Sequence, residues 1–398
     1  MRYTADEVFD YIKEEDVRFI RLSFCDITGK QKNISIQPGE LKRAFRDGIA
    51  FDASAIRGFG DTVGSDLFLV PDPATLSVLP WRPSHGKVVR MFSEIRRPDG
   101  TPFERDSRLI LRRAVERAKK AGITVSIGTE YEFYLFLTDE NGAPTHTPFD
   151  RAGYMDVAPA DKGENVRREI CLTLIEMGMQ PERSHHEEGP GQNEIDCRYC
   201  DALTAADNAV NFVNVVRMSA ERNGLWADFS PKPLANESGN GMHINLSVTS
   251  RDGVDYLPSF MAGILARIRE MTAILNPTEA SYARLGVMKA PKYITWSSGN
   301  RSQLVRVPAA TGEYRRMELR SPDPEANPYL AFALLIHAGL DGIEQKMTLP
   351  TPIDCDLYRA PSEVTEGLDT LPASLSEAID LARESAFIQS ILPGYPFV

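Results

Sequence analysis

From Gly239 to Ser247 the chain reads Gly-Asn-Gly-Met-His-Ile-Asn-Leu-Ser, and this alternation is its tightest constraint. Side chains alternate along a strand, so His243, Asn245 and Ser247 fall on one face and Met242, Ile244 and Leu246 on the other. A half-buried strand ordinarily turns its polar face to water. Here that face carries one of only six histidines, directly after a glycine-rich turn. Three further segments repeat the pattern with carboxylates, so the fold is expected to gather several polar strand faces at one place.

In Gly128-Thr129-Glu130-Tyr131-Glu132-Phe133-Tyr134-Leu135 the two glutamates share a face. Tyr131, Phe133 and Leu135 continue the apolar parity of Ile123, Val125 and Ile127. Two unit charges about 5 Å apart at an effective dielectric near 20 repel by roughly 3 kcal/mol, and a cation, a proton or solvent has to offset that. A solvated edge explains this pair alone as well as a metal does. In the second segment, Glu187 and Glu194 flank a Gly189-Pro190-Gly191 turn that can bring both carboxylates together. In the third, Glu318 and Arg320 share a face opposite Met317 and Leu319, which alone is a same-face ion pair. Together the segments supply five glutamates and one histidine. That hard, oxygen-rich set suits Mg²⁺ or Mn²⁺ better than zinc and suffices for two ions.

Arginines accompany the acids: Arg284, Arg301, Arg306, Arg315, Arg316 and Arg320. Divalent ions held by carboxylates, with several guanidiniums, meet the needs of a transferring phosphoryl group. No Walker-type loop and no kinase signature set is present, so if ATP binds, it does so in another fold.

The bulk properties narrow the class. A net charge of −11 argues against nonspecific nucleic-acid binding. Every apolar run is broken by charge before it reaches membrane-spanning length, and Met1 to Glu7 has no apolar signal core, so a cytoplasmic protein is expected. Five scattered cysteines do not make a disulfide framework, and Cys197-Arg198-Tyr199-Cys200 lacks the second pair of a zinc site. These are read as incidental thiols.

The 398 residues imply two or three domains. Residues 1–101 read as a small α+β unit: a helix over 5–14 capped by Thr4, a strand from Val17 to Phe24, a turn, and a return strand from Asn33 to Ile36. Residues 71–101, rich in Pro and Gly, read as a boundary or linker. Residues 102–398 form the larger unit. Helices are expected at 107–121, 163–178, 203–223, 258–275 and 326–343, and strands at 123–137, 192–199, 242–248 and 315–320. The fold class is α+β, a predominantly antiparallel sheet covered by helices.

With these motifs in hand the chain resembles the glutamine synthetase family, type I (bacterial and archaeal) class, from about residue 15 to beyond 380. The resemblance is carried by Phe51-Asp52-Ala53-Ser54, Glu130 with Glu132, His185-His186-Glu187 through Gly191-Gln192-Asn193-Glu194, Gly241-Met242-His243, Asn300-Arg301-Ser302, and Glu318-Leu319-Arg320-Ser321-Pro322-Asp323-Pro324 with Ala326-Asn327-Pro328-Tyr329-Leu330. It implies a β-grasp-like N-terminal domain and a catalytic domain with a curved sheet. It implies that Glu132, Glu187 and Glu194 hold one divalent ion and that Glu130, His243 and Glu318 hold the other, beside the ATP phosphates. Arg301, Arg306, Arg316 and Arg320 match positions on phosphate or the reacting carboxylate. Arg284 matches the partner of the substrate α-carboxylate, and Gly239 falls in the loop whose backbone meets glutamate. Tyr199 and Ser247 match nucleotide-pocket positions. Asp52 matches the aspartate that attracts ammonium, in the family at a neighbouring subunit's site. The implied reaction phosphorylates the γ-carboxylate of glutamate with ATP, and ammonia then displaces the phosphate.

The chain also departs from that family. Its flap, Arg284-Leu285-Gly286-Val287-Met288-Lys289-Ala290-Pro291, is one residue short and carries Lys289 where the family has a glutamate. Ala55 replaces a serine, the glutamate loop reads Ser238-Gly239-Asn240-Gly241, and Asn245 stands where a second histidine is usual. The expected co-substrate is ammonia. A γ-glutamyl-amine ligase, or a catalytically weak homologue with a regulatory role, is the alternative. The short C-terminus favours a single hexameric ring over a dodecamer, and Tyr358 reads as an ordinary surface tyrosine.

Overall fold

Thr4 starts the first helix, Ala5–Glu14, through a reciprocal capping box with Glu7. The computed structural model describes residues 3–60, 63–82 and 85–397. The Val17–Cys25 strand follows, and the Asp26–Lys30 turn returns the chain antiparallel along Gln31–Ile36. Asp26 holds that turn by accepting from the amides of Thr28 and Lys30.

The expected linker at 71–101 is mostly not one. Lys87–Arg96 is a strand lying between Val17–Cys25, parallel to it, and Asp66–Pro71, antiparallel. It is buried on both faces. Val89, Met91 and Ile95 enter the N-terminal core, while Phe92 faces the larger core. Such a strand lacks the polar alternation that marks one in a sequence, and Pro- and Gly-rich flanks conceal it further. Phe103, two residues past the expected boundary, packs into the N-terminal core.

The second sheet is built on the long strand Ile123–Thr138. Met242–Ser250 pairs with it antiparallel on one side and Gln192–Cys197 on the other. Beyond Met242–Ser250 come Met317–Leu319, Val305–Val307 and Trp296–Ser298, the last pair parallel. Beyond Gln192–Cys197 lies Pro181–His186. The apolar parity holds across the paired segments, where Tyr131, Phe133, Leu135, Ile195, Ile244, Leu246, Met317 and Leu319 are all buried; it breaks at the end of the long strand, where Tyr134 and Phe136 are buried and Leu137 is exposed. Beneath them lie the helices Ser107–Lys120, Ala202–Arg222, Leu257–Leu275 and Pro328–Glu344. Among the described residues no helix is long and apolar enough to cross a membrane.

Two of these helices meet without side chains between them. A Cβ on Gly263 would lie 2.8 Å from Gly342 Cα and closer still to the Ala338 carbonyl oxygen. Backbone cannot yield there as a flexible side chain would. Gly263→Ala is therefore expected to lower the unfolding free energy by about 1–3 kcal/mol, read as a lower urea midpoint at unchanged m-value.

Candidate active site

Cross-strand register brings the polar residues together. Glu130 lies opposite His243 on one neighbour and opposite Asp196 on the other, and Glu132 lies opposite Glu194. Glu318 lies opposite both Asn245 and Arg306. Their side chains share the face away from the core, because strand parity leaves no other choice.

Two triads result. Ligand-type atoms of Glu130, His243 and Glu318 all lie within 4.8 Å of one another, as do those of His185, Glu187 and Glu194. In the first, His243 Nδ1 is 3.3 Å from Glu130 and 3.8 Å from Glu318. In the second, His185 lies 3.7 Å from both Glu187 and Glu194. Glu132, expected among the second set, is in register with Glu194, and its Oε2 accepts from the Gly241 amide at 2.6 Å. A third grouping, Glu130, Glu194 and Asp196, joins the two, and Arg183 forms an ion pair with Asp196.

The charge balance is uneven. Burial, then the charge of Glu132, pushes the Glu187 carboxyl up to about 7. Burial and the neighbouring acids Glu132, Asp196 and Glu130 push Glu194 well above its usual range. Burial opposes ionisation of Glu130 too, but His243, Asn245 and Arg183 outweigh it and hold that carboxyl at about 2. Like charges crowded into a low-dielectric pocket call for a cation, and two oxygen-rich triads with one histidine each fit hard divalent ions.

The second triad rests on a clamped turn. Asp150 Oδ1 accepts from His186 Nε2 at 2.8 Å and from the Gly191 amide at 3.0 Å, gripping the Glu187–Gly191 turn at both ends. His186 Nδ1 is 2.6 Å from the Glu187 carbonyl. Asp150, Asp161 and His186 also cluster as a metal site would, but the amides of Gly191, Lys162 and Gly163, together with Arg167, already donate to the two aspartates.

Arginines line the other side. Arg306 Nη1 donates to Glu318 at 2.6 Å and Arg320 Nε at 3.1 Å. Arg306 Nε is buried without a protein partner. Arg316 donates to Asn245 Oδ1 at 2.9 Å, while Asn245 Nδ2 donates to Glu130, also at 2.9 Å. The asparagine thus ties an acid of the first triad to an arginine, a pairing that an imidazole, with one donor and one acceptor in a rigid ring, would make in a different geometry. Arg284, 3 % exposed, donates to the carbonyls of Ser321 and Arg320. A Cβ on Gly239 would clash with the Pro231 carbonyl oxygen and lie 2.9 Å from Arg284 Cγ, so only bare backbone fits there. Asn240, fully buried, donates to the carbonyls of Asp228 and Ser230 and accepts from Gln192, which fixes the loop.

Other expected residues lie further out. Tyr199 packs its backbone against Gly128, and Ser247 donates to the Arg315 carbonyl. Asp52 ends a strand of the N-terminal sheet, where the Ser54 hydroxyl and amide hold its carboxyl below the usual range. Among the described residues, Asp52 shows no contact with the triads within this chain.

Tyr358 is not an ordinary surface tyrosine. Its hydroxyl donates to the carbonyls of Lys289 and Arg301, and Arg320 donates to the same two carbonyls. These contacts join the flap to the Arg301 loop. Met288 and Lys289 both adopt positive φ, 47° and 64°, which is uncommon outside glycine. The Lys289 ammonium pairs with Glu188 and lies 6.0 Å from the Tyr154 ring centroid. His185, Asp196 and Arg183 were not among the expected site residues. The signal for the first two was available: His185 shares strand parity with Glu187, and Asp196 with Glu194.

Comparison with known proteins covers both parts of the chain. The family described as "Glutamine synthetase, beta-Grasp domain" matches residues 16–98, and "Glutamine synthetase, catalytic domain" matches 104–395. The glutamine synthetase of Clostridium saccharobutylicum is 43% identical, covering 100% of this chain and 93% of its own length. That of Methanosarcina mazei is 43% identical, covering 99% and 92%. A solved GmaS–ADP complex, 29% identical, superposes with a TM-score of 0.87 over 99% of this chain and 93% of its own. On its β-grasp and catalytic domains and its likeness to these enzymes along nearly its whole length, the chain belongs to the glutamine synthetase family of ATP-dependent ligases.

Proposed function

We propose that this ligase joins ammonia, or another amine, to the γ-carboxylate of glutamate through a γ-glutamyl phosphate. The observation that carries the reading is Glu318, which faces His243 and accepts from both Arg306 and Arg320. It sets a divalent-ion triad and two guanidiniums against one another at the point where a phosphoryl group would transfer.

Glu130, His243 and Glu318 hold one Mg²⁺ or Mn²⁺, and Glu132, Glu187 and Glu194, with His185 beside them, hold the other. When bound, such ions neutralise phosphate charge as Lewis acids. Arg306, with its free Nε, and Arg316 bind the nucleotide phosphates, and Tyr199 and Ser247 border the nucleotide. A solved relative carrying ADP supports nucleotide binding. Arg284 and the Gly239 backbone take the amino-acid end of glutamate. Arg301 and Arg320 stabilise the reacting carboxylate, and Asp52 acts from a neighbouring copy, which requires a homo-oligomer such as a hexameric ring. The protein works in the cytoplasm, and the seam between its two domains lies near residue 101.

The Lys289–Glu188 pair favours an amine wider or less cationic than ammonium as a second reading, because a fixed ammonium at the flap repels another. The test is phosphate release by the full chain with ATP, Mg²⁺ and glutamate, with ammonium and a panel of primary amines. Turnover with at least one nucleophile is expected. Absence of turnover with all of them, alongside tight ATP binding, would overturn the ligase assignment. Lys289→Glu is expected to raise kcat/KM for ammonium at least ~10-fold, less than the roughly 10²–10⁴-fold of a fully positioned general base.

A further inference from the structure

Between Pro350 and Ala360 the chain runs as a strap with no helix or strand of its own, beside the edge strand Trp296–Ser298. Its position is set by tethers. The Trp296 indole donates to the Pro350 carbonyl at 2.8 Å, and the Ile353 amide to the Trp296 carbonyl at 3.0 Å. Further along, Asn300 and Ser302 donate to the Cys355 carbonyl at 2.7 and 3.3 Å. The Leu357 amide donates to the Ser302 hydroxyl at 3.0 Å. The next residue is Tyr358.

Ring burial does not account for a tyrosine there, since Tyr358 is 40 % exposed and a phenylalanine would cover the same surface. The hydroxyl does. It donates to the Lys289 carbonyl and, at 3.2 Å, to the Arg301 carbonyl, two oxygens on separate loops. Arg320 donates to the same two oxygens while its Nε holds Glu318. One phenol and one guanidinium thus join two loops at the edge of the first triad. Residues 285–291 need such holding. Val287 and Met288 are exposed, so no core pins them. Met288 and Lys289 both have positive φ, which non-glycine residues keep only where their surroundings impose it. From Arg320 to the Lys289–Glu188 ion pair, this segment reaches from the first triad to the turn that carries Glu187.

We propose that Tyr358 is a positioning residue that holds residues 285–291 and the Arg301 loop closed over the acyl phosphate, so that the amine and not water reaches the acyl carbon. The inference rests on the ligase reading above. Water in the amine's place would return glutamate and phosphate: its oxygen joins the acyl carbon, the acyl–oxygen bond breaks, and a proton passes to solvent. A closed segment suppresses that loss. Burial raises the Tyr358 hydroxyl above its ordinary value, which keeps it a donor. Arg320 retains its own contacts with both carbonyls, so losing the hydroxyl loosens the segment without releasing it.

The experiment compares Tyr358→Phe with the unaltered full chain in two measurements. Hydrogen exchange without substrates reads the clamp. Amides of 285–291 are expected to exchange roughly 2- to 12-fold faster, the range that the net contribution of one hydrogen bond supports. Those of the Leu257–Leu275 helix are expected to be unchanged. Product accounting reads the shielding: with ATP, Mg²⁺, glutamate and the best nucleophile, phosphate released per γ-glutamyl product is expected to rise measurably above that of the unaltered chain. Unchanged exchange over 285–291 would overturn the clamp. So would faster exchange spread evenly along the chain, which marks general destabilisation. Faster exchange confined to 285–291 with an unchanged phosphate-to-product ratio would overturn the shielding role. If the unaltered chain makes no γ-glutamyl product with any nucleophile, the ligase reading falls and the shielding role falls with it, while the exchange measurement still decides whether Tyr358 holds the segment.

Discussion

Glu318→Gln is expected to lose at least a hundredfold in ATP- and glutamate-dependent phosphate release, with kcat falling more than KM rises. Glu318 is 1 % exposed and accepts from two guanidiniums. A neutral amide turns one acceptor into a donor pointed at a cation. Removing one such preorganised charge from a closed site costs about 10²–10³ in rate. The fold suffers as well, because breaking a buried charge pair strands its partners, at about 3–5 kcal/mol. Glu318→Asp separates the two effects. It keeps the charge but withdraws it by one methylene, so the urea midpoint should fall little while activity stays low. Near-normal activity in Glu318→Asp would show that the position of this carboxylate is not critical.

The second large effect is the linkage between divalent ions, protons and stability. The Glu187 carboxyl lies at about 7 in the folded chain, against 4.5 for an unperturbed glutamate. A raised acid binds its proton more tightly when folded. In metal-free protein its contribution is therefore fully present below pH 4.5 and is lost as pH rises through 7. From this one group the loss is on the order of 3 kcal/mol. A cation supplies the counter-charge that the proton otherwise provides. Millimolar Mg²⁺ or Mn²⁺ should therefore raise Tm by several degrees at pH 7.5, distinctly less at pH 5, with protons released on binding. Chelation should reverse the shift. Glu187→Gln should stabilise the metal-free protein at pH 7.5 while weakening cation binding. A cation shift of equal size at both pH values would refute the linkage.

Much of this site was legible because strand parity is a strict rule. Glu130, Glu132, His243 and Glu318 follow from alternation against buried apolar neighbours, and the register closes the arrangement. The same rule applied to His185 and Asp196 points to the same face, since each shares parity with a glutamate two residues along its strand or turn. Lys87–Arg96 was hidden for the opposite reason: two cores bury it from both sides and erase its alternation. Tyr358 carries no local signal at all. Its partner Lys289 is 69 residues away, and only the tertiary fold brings the hydroxyl to that carbonyl. Asn240 and Asn245 read in sequence as departures from a family pattern, whereas in space each completes a hydrogen-bond set around its own neighbours.

The flap is fastened at residue 289 through its main-chain oxygen, which Arg320 and Tyr358 grip, while the lysine side chain turns outward to Glu188. Anchorage and chemistry are therefore separable at this position. A lineage can exchange a carboxylate, an ammonium or a neutral group at the gate by a single codon change, and the strap stays where it is. A scaffold built in this way can explore new nucleophiles without first loosening the machinery that makes the activated acid.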